Sequence, residues 1–156
     1  MLDHVSLGVS NLARSRCFYD AALRPLGLVR IGNFGNERGS DYGAAPGSLG
    51  VEFTITVERG AAPAPGMHVC FKGRDRDAVR EFHRSALANG GRDDGAPGLR
   101  PQYHASYYGA FVLDPDGHRI EAVCHAPEIA ETIPSPWESD PQQSKGPSRW
   151  EGLARM

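Results

Sequence analysis

Asp3-His4-Val5-Ser6-Leu7-Gly8-Val9 and, farther along the chain, Met67-His68-Val69-Cys70-Phe71 have the same form. Each alternates apolar with polar or small residues, the period of a strand with one buried face. Sliding the sequence by 64 residues lays His4 on His68, Val5 on Val69, Arg16 on Arg80 and Phe18 on Phe82. The register continues with Ala22 on Ala86, Leu23 on Leu87 and Gly27 on Gly91. Identities that keep their order through a strand, a helix and a turn mark a duplicated unit.

Outward from these strands, the pattern predicts helices over 11–23 and 75–89, with Asn11 and Asp75 as N-caps and Gly27 and Gly90-Gly91 as stops. Val79, Phe82, Ala86 and Leu87 form an apolar stripe on the second helix; Leu12, Phe18, Tyr19, Ala22 and Leu23 form a looser one on the first. In the second half, 107–113 and 118–124 flank Asp114-Pro115-Asp116-Gly117 and read as a hairpin. The first half offers Ala45-Pro46-Gly47-Ser48 followed by a strand over 49–57, where one inserted residue brings Val51-Glu52 onto Ile120-Glu121. The expected architecture is α+β: two tandem βαβββ modules, 1–60 and 66–125, forming one domain over 1–125. A short Pro- and Gly-containing linker joins them. Residues 126–156, with five prolines and Trp137 and Trp150, form a C-terminal extension.

The chain has 156 residues, 40% apolar and 23% charged, enough for one core. A net charge of -2 lacks the basic footprint that collects phosphates, so nucleic acid is not an expected partner. Cys17, Cys70 and Cys124 are odd in number and far apart, which fits neither a disulfide framework nor a thiolate zinc cluster. No stretch approaches the roughly 18–20 apolar residues of a membrane span, and Asp3 and His4 interrupt any signal-peptide core. A cytoplasmic protein with no membrane partner is expected. The 19 glycines and 12 prolines imply many turns and several short strands. Among them, Gly32-Asn33-Phe34-Gly35-Asn36 and Gly90-Gly91 read as turns, since no phosphate-loop pattern surrounds them.

The repeat sets His4 and His68 at equivalent points on two strands, and Glu52 and Glu121 at equivalent points on two others. Imidazole nitrogen with carboxylate oxygen suits Zn, Ni, Mn, Co or Fe(II), whereas calcium prefers oxygen alone. Taken singly, each histidine reads as a hydrogen-bonded strand residue and each glutamate as a solvent-facing one; their pairing is what points to a metal cleft.

With these residues in view, the chain over 1–125 resembles the vicinal oxygen chelate superfamily, the glyoxalase, bleomycin-resistance and extradiol-dioxygenase group. The carriers are His4-Val5-Ser6-Leu7-Gly8-Val9 with Phe18-Tyr19, His68-Val69-Cys70-Phe71, and above all Leu113-Asp114-Pro115-Asp116-Gly117-His118-Arg119-Ile120-Glu121. The resemblance implies a curved mixed sheet around one divalent metal, with His4, His68 and Glu121 as ligands and Glu52 as a fourth ligand or a catalytic neighbour. It also implies a homodimer. Glutathione-dependent members often carry an arginine four residues after the first ligand histidine; Gly8 stands there in this chain, which points to another substrate.

The segment from Arg100 to Tyr108 gathers Tyr103, His104, Tyr107 and Tyr108 before the hairpin. His104 is a candidate general acid or base, and Tyr103 and Tyr107 are candidate donors to a developing anion. The plainer alternative is a wet loop whose rings cover the sheet edge. Three functions follow: a metal-dependent lyase or isomerase acting on a small substrate through vicinal oxygens, with Glu121 or His104 moving the proton; a metal-free small-molecule or antibiotic-binding protein; and an extradiol-type dioxygenase.

Overall fold

The structure is a computed structural model that describes residues 2–44 and 50–127; the first-half turn expected at 45–48, and the extension beyond 127 with its two tryptophans, lie outside the described residues. The order is β1 (Val5–Val9), α1 (Leu12–Leu23), a 3-10 turn (Arg24–Leu26), β2 (Val29–Phe34), β3 (Gly39–Gly43) and β4 (Phe53–Val57), then β5 (His68–Lys72), α2 (Arg76–Ala88), β6 (Arg92–Leu99), β7 (Tyr108–Leu113) and β8 (Arg119–Cys124). The strands form two four-stranded sheets, ordered β1-β4-β3-β2 and β5-β8-β7-β6. In each, the first strand runs parallel to the last and the remaining pairs are antiparallel. This is the expected pair of βαβββ modules.

Local chemistry starts each helix where the sequence placed it. The Asn11 side chain accepts from Arg14 N at 3.0 Å, and the Asp75 side chain from Ala78 N at 2.7 Å, each satisfying a first-turn donor that lacks a helical partner. Strand alternation then sends Leu7, Val9, Phe53, Ile55, Ala110, Val112, Ile120 and Ala122 to the helix side, where they meet Phe18, Tyr19, Val79 and Phe82 in one core shared by both modules. Gly91 permits this: a Cβ there would lie 2.7 Å from the Phe18 ring and 2.8 Å from the Ala86 carbonyl.

Two expectations are corrected. Gly32, Asn33 and Phe34 belong to β2, and the turn begins only at Gly35, with Gly35, Asn36 and Glu37 at φ 62°, 51° and 66°. The hairpin closes by packing the Phe34 ring over Gly39, where a Cβ would approach the ring to 2.2 Å, so an aromatic and a glycine outside the run extend the ladder through it. Of the strand expected over 49–57, whose residue 49 lies outside the described residues, β4 comprises Phe53–Val57.

The hairpin turn does more than reverse the chain. Asp114, only 1% exposed, accepts the Tyr19 phenol at 2.7 Å from the other module, and also Asp116 N and His118 N. Asp116 accepts from Ser10 N, Ser10 Oγ and the Arg14 guanidinium. His118 Nε2 donates to the Gly8 carbonyl at 2.8 Å. The turn of module two is thus bonded to β1 and α1 of module one, with Phe53 against Phe71, edge to face at 5.3 Å, completing the seam. Asp114→Ala leaves several buried donors unmet at about 1–3 kcal/mol each, so urea unfolding should report a loss of about 3–5 kcal/mol. Tyr19→Phe should cost about 1–2 kcal/mol. Equal small losses for both would show that the seam does not rest on this carboxylate.

Candidate functional site

Because side chains alternate across a strand, β8 sends Ile120, Ala122 and Cys124 into the core and Glu121 to the opposite, open face. Glu121 is registered against Cys70 on one side and Phe111 on the other, and both share that face. Glu121 is nonetheless only 2% exposed, because neighbours close over it. The Tyr107 phenol donates to its Oε1 at 2.6 Å, and His68 Nε2 lies 3.3 Å from its Oε2. The Cys70 thiol stands on the neighbouring strand position and senses its charge. Space for the Tyr107 bond depends on Gly109, where a Cβ would stand 3.2 Å from the Tyr107 ring and 3.3 Å from Glu121 Oε1.

The surroundings set protonation states. Desolvation, followed by the hydrogen bond and charge of Glu121, raises the Tyr107 phenol above its usual range, keeping it a neutral donor. Desolvation and then Glu121 push the Cys70 thiol up to about 12, so it is a thiol and not a nucleophilic thiolate at neutral pH.

Of the sequence-predicted residues, the structure brings together His68, Glu121, Tyr107, His104 and Tyr103. The Tyr103 and Tyr107 ring centroids are 4.8 Å apart, and those of His104 and Tyr107 5.5 Å. His104 is exposed, as is Tyr103. A further residue joins them that the sequence reading did not place in the site: His125, whose Nδ1 is 2.8 Å from His104 Nε2 and whose ring centroid is 5.3 Å from that of Tyr107. Ser106 N donates to His104 Nδ1, which makes that nitrogen the acceptor; the Nε2–H therefore donates to His125. The signal was available in the alternation, since 121, 123 and 125 share a face.

His4 and Glu52 are not brought to this cluster. His4 Nδ1 is paired with Asp3 Oδ1 at 2.7 Å, with its side chain 52% exposed, and Glu52 is exposed. Register explains the second. Val5 pairs with Phe53 and Ser6 with Thr54, while Val69 pairs with Ile120 and Cys70 with Glu121. The module-one counterpart of Glu121 is therefore Thr54, whose hydroxyl donates to Asp41 at 2.7 Å. The match of Glu52 to Glu121 is corrected by two positions, because strand pairing and not a one-residue insertion sets the equivalence.

A catalytic metal site takes about three protein donors and an open position. His68 and Glu121 have the right donor chemistry, but among the described residues no three His, Cys, Asp or Glu side chains are placed to hold an ion. As disposed, this donor set does not fit a resident metal.

Comparison with known proteins agrees with the geometry. The family model described as "Glyoxalase/Bleomycin resistance protein/Dioxygenase superfamily" matches residues 1–122. The chain is similar to a glyoxalase/bleomycin resistance protein from Albidiferax ferrireducens T118, with 31% identity, 80% of this chain and 98% of that one covered, and a TM-score of 0.69. It shares its fold with a glyoxalase-related enzyme from Fulvimarina pelagi at 20% identity, covering 80% and 87% with a TM-score of 0.60. It likewise shares its fold with glyoxalase I from Zea mays at 21%, covering 80% and 46% with a TM-score of 0.58. No curated protein matches significantly.

Two outcomes follow. Protein purified without a histidine tag or added ions should carry substoichiometric metal by elemental analysis and melt at the same temperature with or without Ni, Zn, Mn or Fe(II); stoichiometric metal lost in His68→Ala and Glu121→Ala would restore the ligand set. Alkylation at pH 8, read by peptide mass spectrometry, should label Cys17 while Cys70, exposed as well, lags because its thiol resists ionisation. A thiol at about 12 holds roughly 10³-fold less thiolate than one near the reference of about 8.5. Glu121→Gln removes the neighbouring charge, lowers that pKa and accelerates Cys70 labelling.

Proposed function

The chain belongs to the glyoxalase/bleomycin resistance protein/dioxygenase superfamily, and from that premise we propose that it is a lyase- or isomerase-type enzyme that moves a proton on a small oxygenated substrate at Glu121. The observation that carries this reading is the Glu121 carboxylate itself: buried, yet on the open face, with one oxygen held by Tyr107 and the other beside His68. A carboxylate that served only as surface charge would not be enclosed in this way.

In this reading the substrate lies on the open face of the second sheet. Glu121 takes a proton from a carbon beside a carbonyl, whose oxygen receives the electron pair as an enolate, and returns it to a neighbouring atom, so that the isomerised product balances. Tyr107 fixes the direction of the carboxylate by holding Oε1, which leaves the Oε2 edge and His68 toward the substrate. The phenol stays protonated because burial and Glu121 oppose its ionisation, so its hydrogen bond persists across the working pH range. Tyr103, His104 and His125 line the approach, with His104 Nε2–H donating to His125 Nδ1. Oriented general bases contribute about 10²–10⁴-fold.

Deuterium wash-in from D₂O at the C–H beside the carbonyl, followed by NMR over a panel of small 2-hydroxy ketones and 2-oxo acids, tests the assignment. Glu121→Gln should slow exchange of the active compound by about 10²–10⁴-fold, and Tyr107→Phe by about tenfold with little change in binding. A compound that binds at the cluster without exchanging, in wild type and variants alike, would make the protein a metal-free binder.

A further inference from the structure

The open face beside Glu121 also carries two arginines that the reaction scheme leaves unused. Phe111 is registered against Glu121 across the antiparallel β7–β8 ladder, so their side chains share one side of the sheet. Arg119, two residues before Glu121, shares it too. The Arg119 guanidinium stands 4.9 Å from the Phe111 ring centroid and the Arg100 guanidinium 5.9 Å. The same ring thus carries two cations at the flank of the candidate base.

Their charges are met differently. Arg119 Nε reaches Asp94 Oδ2 at 2.6 Å. Arg100 donates from Nη1 to the Leu99 carbonyl at 3.3 Å and from Nη2 to the Ala96 carbonyl at 2.8 Å, and among the described residues no carboxylate pairs with it. Carbonyl oxygens orient a guanidinium without neutralising it, and part of its five-donor fork remains unused. The seat is built for this side chain. A Cβ at Gly98 would come within 3.0 Å of Nη1, and one at Gly95 within 3.1 Å of the Phe111 ring and 3.6 Å of Nη2, so the two glycines of β6 open the slot. Arg100 is also strapped to the loop that grips the base: its N–H donates to the Tyr107 carbonyl at 2.8 Å, and its own carbonyl accepts from Tyr103 N at 3.0 Å.

We infer that Arg100 is a specificity-determining residue that binds the carboxylate of a small anionic substrate and sets its acidic C–H over Glu121. This rests on the proton-transfer reading and names its substrate class: a carboxylic acid whose reacting carbon lies within a few bonds of the carboxylate. The Arg100 seat on β6 and Glu121 on β8 are two strand spacings apart, about 10 Å, most of which the contacts to the guanidinium and to the base take up, so a ligand crossing Phe111 between them is short. With Asp94 offsetting Arg119, the Arg100 guanidinium, held only by carbonyl oxygens, is left to meet the incoming anion. A planar guanidinium matches a carboxylate as a point charge cannot.

The test uses the full chain, ¹⁵N-labelled, titrated with lactate and with lactamide, its uncharged isostere. Lactate is expected to shift the Arg100 Nε–Hε signal and the Gly95 and Gly98 amides to saturation. Lactamide should bind at least tenfold more weakly. Arg100→Gln should lose lactate binding at least tenfold and Arg100→Lys less than that, whereas Arg74→Gln, far along the chain at the start of α2, should change nothing. Equal binding of lactate and lactamide, or unchanged lactate affinity in Arg100→Gln, overturns the inference. If Arg100→Gln does not fold, the wild-type comparison of the two ligands decides alone. Glu121→Gln separates the two readings: lactate shifts at Arg100 that persist in this variant, with no deuterium exchange by the wild type, uphold the anion site and remove the proton-transfer role.

Discussion

Asp114 is a charge held almost wholly out of water, and it is tolerable only because the Tyr19 phenol and two backbone N–H groups converge on it. Two of those donors come from its own turn and one from the other module, so the bond is made only when the modules meet. Burial and the facing carboxylate raise the Tyr19 phenol well above its usual range, which keeps its proton in the bond. A βαβββ unit of about 60 residues is marginal alone. Here the two gain a common core and a polar clasp whose rupture would leave unpaired groups inside it.

The clasp also locates the chemistry. The turn residues Asp114 to His118 are tied to β1 and α1, and β8 begins at Arg119, so the strand that carries Glu121 is anchored at its root. Alternation then delivers Glu121 and His125 to the open face without further constraint. Packing beneath β8 is apolar and close; above it are a phenol, an imidazole and a thiol. A residue pinned from below and gripped from above is well suited to a task that depends on the direction of a lone pair.

How much of this was legible depends on which physical rule each part obeys. The repeat, both helices and their caps, and the Asp114–Gly117 hairpin obey local rules, and the structure follows them within a residue or so. Strand β6, Arg92–Leu99, does not: its sequence Arg-Asp-Asp-Gly-Ala-Pro-Gly-Leu has almost no strand character, and its pairing with β7 shifts register twice. It is the last strand of its sheet, where proline and glycine are admitted, and those glycines make room for Arg100. Hairpin β2–β3 was hidden for a related reason, since a ring lying on Gly39 is a nonlocal contact that no periodicity announces. In the candidate site, His68 and Glu121 were readable from the repeat, and Tyr107 and His104 from the crowding of rings between Arg100 and Tyr108. His125 required knowing that Glu121 faces outward, and the counterpart of Glu121 required a pairing register that sequence matching placed two residues away.

That register shows how a duplicated fold comes to have two different open faces. At the corresponding points of the two modules stand Ser6 and Cys70, Thr54 and Glu121, Asp41 and Phe111. In module one the Thr54 hydroxyl donates to Asp41, so the only carboxylate of that trio already has a partner within its own sheet. In module two the carboxylate sits on the middle strand of the three, and the position beside it is the apolar Phe111, which cannot hydrogen-bond it. Glu121 therefore draws its partners from elsewhere, from the loop that supplies Tyr107 and from the start of β5 that supplies His68. Exchanging which strand bears the acid turns a satisfied pair into a carboxylate with an open edge, and it clears a ring for the cations that flank it. The asymmetry of the two open faces thus follows from three side-chain pairs on an otherwise symmetric backbone.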